Sequence, residues 1–144
     1  MIRIICGGKK NSGAFLELIT EYEKRLRKPY EVKWEFYEES KLGERLEKWP
    51  FDRTREFVIC CDERGKNISS DEYSAILTGV FEGGKDVVIL IGGAYGFAPE
   101  VRERADFCWS FSRLVFPHQL FRCMVVEQIY RASQIAMGGK YHHV

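Results

Sequence analysis

No apolar stretch in these 144 residues approaches the roughly 20 that span a bilayer, so no membrane segment is expected. The opening residues, MIRIICGGKK, hold too short an apolar run for a secretory signal and read instead as a first strand. Neither CxxC nor CxxH spacing occurs, so no metal site is expected. An excess of either charge is missing too: 22 basic residues against 21 acidic ones leave a net charge of +1. That balance does not advertise a nucleic-acid binder, although a local basic face stays open, because steering follows the distribution of charge rather than its sum. Linkers, repeats and low-complexity stretches are absent as well. Residues 1–144 therefore read as one domain, long enough to bury a real core.

The five cysteines are odd in number and lie mostly among apolar neighbours in expected strands and helices. They argue for reduced thiols in a cytoplasmic protein rather than a disulfide framework. The adjacent Cys60 and Cys61 would point to opposite faces of one strand.

What is present is an alternation of strand and helix patterns. Ile2 to Cys6, Val32 to Tyr37, Phe57 to Cys61, Val87 to Ile91 and Phe107 to Phe111 read as strands. A helix from Ser12 to about Lys28 carries Phe15, Leu18, Ile19, Tyr22 and Leu26 at helical spacing and stops at Pro29. Residues 41–49 form a short helix. Ser69 or Ser70, with Glu72 placed for a reciprocal bond, caps a helix that buries Tyr73, Ile76, Leu77, Val80 and Phe81. Pro99 opens another short helix, and the longest runs from about His118 to Met137. Glu63 to Asn67 read as a polar loop. Continuous apolar strands separated by helices imply an α/β fold, a mostly parallel sheet flanked by helices.

Ligands of such sheets bind beyond the carboxyl ends of the strands. Three strand ends here lead into suggestive loops: Asp62-Glu63-Arg64-Gly65-Lys66, Gly92-Gly93-Ala94-Tyr95-Gly96, and Ser112 to His118. Gly92 and Gly93 let backbone groups meet a ligand with no side chain in the way. The loop is neither a Walker loop, since Phe97-Ala98 follows its last glycine, nor a GxGxxG loop after a first strand. By spacing alone, ligand binding and a plain turn remain equally open.

The segments LIGGAYGF, WSFSRLVFPHQLFRCMVVEQIYRASQI and KYHHV, with CDERGK and SSDEY upstream, closely resemble the RlmH family. These are SPOUT-class methyltransferases that modify N3 of a pseudouridine in bacterial large-subunit ribosomal RNA. The resemblance covers essentially the whole chain. It implies a C-terminal trefoil knot, a homodimer and S-adenosylmethionine as cofactor, with the assembled ribosome as substrate. Carried over by position, the resemblance implies a cofactor pocket at Cys61, Gly92, Gly93, Gly96, Phe111, Ser112, Arg113, Leu114, Val115 and Phe116. His118, Tyr141, His142 and Arg131 are its candidate catalytic residues. Arg122 and Arg131 are candidates for RNA phosphate or the cofactor carboxylate. Lys9, Lys10, Arg25, Arg27 and Lys28 form either a solvated face or an RNA contact. The chain departs from the family at His143, where arginine is usual, at Cys61, where leucine is usual, and in its shortness around residues 38 to 54. Two other readings stand beside this one: a non-catalytic RNA- or ribosome-binding relative, and an enzyme of the same fold acting on another rRNA or tRNA position.

Overall fold

In the computed structural model, which describes residues 1–143, five strands form one parallel sheet in the order β2-β1-β4-β3-β5. The strands are β1 (Ile2–Gly7), β2 (Val32–Tyr37), β3 (Glu56–Lys66), β4 (Asp86–Ile91) and β5 (Phe107–Trp109). Between and after them run α1 (Gly13–Glu23), α2 (Glu39–Glu47), α3 (Ser70–Glu82), α4 (Pro99–Arg104) and α5 (His118–Ala136). Val87–Ile91 of β4 and Phe57–Cys61 of β3 are apolar without interruption because both faces of the sheet are covered there. Side chains alternate between two cores. Ile4, Ile89 and Ile59 stand level on β1, β4 and β3 and face α1, α3 and α5. Their neighbours Ile5, Leu90 and Cys60 face α2 and α4. Each of these isoleucines is fully buried, which is worth about 2–3 kcal/mol per side chain. Cys60 and Cys61 fall into different cores, as a strand requires, and all five cysteines are free thiols.

The capping of α3 follows the expected pattern, and Ser69 is the cap. Its hydroxyl accepts from the Glu72 N–H at 3.1 Å, and the Glu72 carboxylate accepts from the Ser69 N–H at 3.1 Å. Helix α1 departs from expectation. It ends at Glu23 rather than near Lys28, and Leu26 and Tyr30 fold back into the core from the turn that follows. Ile19 is its one fully buried residue, while Phe15 and Leu18 remain 37% and 46% exposed.

The polar stretch after Cys61 is also not a free loop. β3 continues to Lys66, and the register against β5 slips so that both Cys61 and Lys66 pair with Trp109. The Ser110 N–H then donates to the Lys66 carbonyl at 3.0 Å. Gly65 makes this bulge possible, since a Cβ there would stand 2.6 Å from the Cys108 carbonyl oxygen. The Gly65→Ala variant is expected to lose about 1–3 kcal/mol of stability in urea unfolding, because the atom it meets is backbone and cannot swing aside. Wild-type stability in that variant would contradict the tight β3–β5 approach.

Candidate functional site

The register lines up the ends of three strands. Cys61 on β3 pairs with Ile91 on β4 and with Trp109 on β5. Their loops leave the sheet at one level and enclose a cleft of about 220 Å³. Cys61 forms its floor, Gly92, Gly93 and Gly96 one wall, and Phe111, Ser112, Leu114, Val115 and Phe116 the other. His118, first residue of α5, stands at the edge. The structure thus brings together every expected pocket residue except Arg113, which lines a separate groove with Arg64, Asn67 and Ser110.

Two features hold the aromatic wall. Trp109 stacks on Tyr73 of α3 at 3.9 Å between centroids, then meets Phe111 at 4.4 Å, and Phe111 meets Phe121 of α5 at 4.8 Å. The Asn67 amide donates to the carbonyls of Ser110 and Phe111 at 3.1 and 2.9 Å. Both fix the chain as it leaves β5.

The glycine wall is held from behind. The Ala94 N–H donates to the carboxylate of Glu39, the first residue of α2. That carboxylate occupies the space where a Cβ of Gly93 would go, so a side chain there would have to displace Glu39 from the loop. Behind the same loop a larger hollow of about 740 Å³ lies between α2 and α4. The three strand ends converge on the smaller cleft, whereas the larger hollow is bounded mainly by the surface helices α2 and α4.

Asp62 was not among the expected site residues, yet it is buried in the cleft beside Cys61. Burial opposes its charge. The Arg64 side chain, donating at 3.0 and 3.1 Å, and the Arg64 N–H at 2.9 Å outweigh that and hold the carboxyl below its ordinary range. Arg102 of α4 adds a second cation at 3.8 Å. The Cys61 thiol is pushed well up by burial, so it is an inert apolar lining rather than a nucleophile.

The remaining candidates lie elsewhere. Arg131 is 13 residues beyond His118 on α5, about 20 Å along the helix. There Glu127 accepts from Arg131 at 2.6 and 2.9 Å and from the Tyr141 hydroxyl at 3.1 Å. Burial, with help from Tyr22 and Glu127, raises the Tyr141 phenol far above its ordinary value, so it stays protonated. Arg131 also reaches His142 Nδ1 at 3.1 Å, and His142 Nε2 faces Asp71 at 3.4 Å. Arginine only donates, so Nδ1 accepts and the proton sits on Nε2, toward the aspartate. With both nitrogens engaged, His142 has no free lone pair here. His118, by contrast, makes no side-chain hydrogen bond among the described residues.

Arg122 overturns an expectation. It is 1% exposed and donates to the carbonyls of Lys9 and Gly7 at 2.7 and 3.2 Å, so it is not open to RNA phosphate or to a cofactor carboxylate.

Comparison with known proteins follows the same lines. Residues 1–142 match the family described as predicted SPOUT methyltransferases. A relative from Caldicellulosiruptor bescii, named ribosomal RNA large subunit methyltransferase H, is 38% identical, with 99% of each chain covered. Among solved structures, a probable methylase family protein from Haemophilus influenzae superposes with a TM-score of 0.59 at 14% identity, covering 99% of this chain and 70% of that one. The SpoU methyltransferase AviRb from Streptomyces viridochromogenes, solved with AdoMet, gives 0.50 at 10% identity, covering 96% and 61%. At those identities the structures speak for the fold alone.

The Asp62 geometry carries a pH signature. A carboxyl held below its unfolded value of about 3.9 stabilises the folded state above that value, and the gain disappears as the pH falls through the folded-state value. The stability difference between wild type and Asp62→Asn, read by urea unfolding, is expected to be full above about pH 5 and to close below about pH 4. A difference that stays constant down to pH 2.5 would contradict the pairing with Arg64.

Proposed function

The chain belongs to the SPOUT methyltransferase family, and from that premise we propose that it transfers a methyl group from S-adenosylmethionine to large-subunit ribosomal RNA, at N3 of a pseudouridine. The observation that carries this reading is the convergence of three strand ends on a cleft with bare glycine backbone on one side and apolar side chains on the other. Its donor set suits the cofactor. Leu114, Val115 and Phe116 offer an apolar slot for a purine, the strand-end backbone offers hydrogen bonds for its edge, and Gly92 and Gly93 admit a bent ligand. When bound, the cofactor supplies an already activated methyl group, so the chain's task is chiefly to position the reactants.

N3 of a uracil-type ring carries a weakly acidic proton that must leave as the new bond forms. His118 is the group in this chain suited to accept it, because it borders the cleft with its ring unengaged, whereas His142 is tied by Arg131 and Asp71. Tyr141 and His142 of the tail and Arg131 of α5 belong to a second cluster, too far from His118 to touch the same base within one subunit.

A homodimer is part of this reading. At about 220 Å³ the cleft is smaller than most small-molecule sites, and its rim exposes Tyr95 at 92%, Leu114 at 69% and Val115 at 84%. Leu16 and Leu18 of α1 add exposed apolar surface. A second copy seated there would cover these side chains, deepen the cleft and bring its own tail cluster to it. A knotted C-terminus fits the path of the chain, in which β5 pairs outside β3 while α5 returns to pack on α1 and α3.

Titration calorimetry with S-adenosylmethionine tests the site. Wild type is expected to bind, and Gly92→Trp is expected to lose binding, because a Cβ there already stands 3.2 Å from the Gly96 backbone and an indole would displace the glycine loop; circular dichroism checks that the rest of the fold is kept. His118→Ala is expected to retain cofactor binding and to lose about 100-fold or more in methyl transfer. A wild-type chain that binds no cofactor would favour a non-catalytic ribosome-binding relative. Unchanged transfer in His118→Ala would remove that residue from the chemistry.

A further inference from the structure

Resting on that reading, we infer that the loop Gly8–Ser12 is a rigid RNA-phosphate contact beside the cleft, presented by Gln119 and Arg122 of α5. The motif FPHQLFR divides into two tasks. His118 faces the cleft, while the residues one and four positions later turn to the β1–α1 loop. Gln119 accepts from the Ser12 N–H at 2.7 Å and donates to the Ser12 hydroxyl at 3.4 Å. Arg122 donates to the Lys9 carbonyl at 2.7 Å, to the Asn11 side chain at 3.1 Å and to the Gly7 carbonyl at 3.2 Å. The loop is therefore fixed at both ends and in the middle. Its root also touches the cleft wall, since a Cβ on Gly7 would stand 3.1 Å from the Gly93 nitrogen.

The charge of this loop is uncompensated. Lys9 and Lys10 are exposed, and neither they nor Arg122 makes an ion pair among the described residues. Arg122 is buried with carbonyl partners and the ring of Phe36, 5.3 Å away, rather than a carboxylate. Glu39 packs against the loop root at Gly7, and its carboxylate accepts from the Ala94 N–H of the glycine loop. Three cations thus stand together in a chain whose net charge is only +1. A buried cation without a counter-ion is costly, and its field reaches the loop surface it supports. Fixed, exposed lysines next to a cleft that must receive a base from a polyanion are suited to the phosphates flanking that base. Gln119 and Arg122 are positioning residues in this scheme, and Lys9 and Lys10 make the contact.

Co-sedimentation with large ribosomal subunits over a range of salt concentrations tests it. Lys9→Ala/Lys10→Ala is expected to weaken binding about tenfold and to flatten the salt dependence by about one unit of log–log slope per lysine. Cofactor titration should be unchanged. Lys33→Ala/Lys48→Ala, with the same change of charge at exposed sites away from the cleft, should stay within about twofold of wild type. Gln119→Leu, which removes both bonds to Ser12, should lose part of the binding while its cofactor titration stays unchanged. Equal binding by the two double variants, or loss of cofactor binding with the first, would overturn the inference. Failure of wild type to bind the particles at all would instead remove the function on which it rests.

Discussion

The level register of β3, β4 and β5 is the constraint on which the site depends. Cys61, Ile91 and Trp109 stand side by side, so three loops begin at one height and close on one space. A slip of one residue in any of the three would turn its core face outward and carry its loop away from the others. The alternating cores prevent that slip, because Ile59 and Ile89 face one set of helices while Cys60 and Leu90 face the other. The aromatic series Tyr73, Trp109, Phe111 and Phe121 then carries the register from the sheet into α3 and α5. Packing and pocket are thus one arrangement.

Polar groups inside this frame act mainly on backbone. Glu39 holds the glycine loop, Asn67 holds the chain after β5, Gln119 and Arg122 hold the loop after β1, and Asp62 is held by Arg64. Each link is formed before any ligand arrives, so less ordering is left for binding to cost. The histidines divide by the same logic. His142 is committed to Arg131 and Asp71, while His118 faces the cleft unengaged.

The strands and the parallel sheet were legible because a doubly covered strand needs an uninterrupted apolar run, and Val87 to Ile91 shows one. The cleft residues were legible through resemblance, which named nine of its lining positions besides His118. Local spacing could not reveal the rest. The polar continuation of β3 to Lys66 is made by edge pairing with β5 and has no apolar signature. Glu39 meets Ala94 across 55 positions, a contact that no window contains. Arg122 looked available because arginines are seldom fully buried, and only the fold shows the carbonyls that its two terminal nitrogens meet. On α1, Phe15 and Leu18 fit a helical stripe yet lie outward, since only a narrow line through Ile19 meets the sheet.

Methyl mapping tests the central claim most directly. Large ribosomal subunits lacking modification at the target would be incubated with the purified chain and isotopically labelled S-adenosylmethionine, and the ribosomal RNA digested and read by mass spectrometry. The account predicts one labelled methyl group, on N3 of a single pseudouridine of large-subunit RNA. Label on another base, or no label from a folded, cofactor-binding chain, would contradict it.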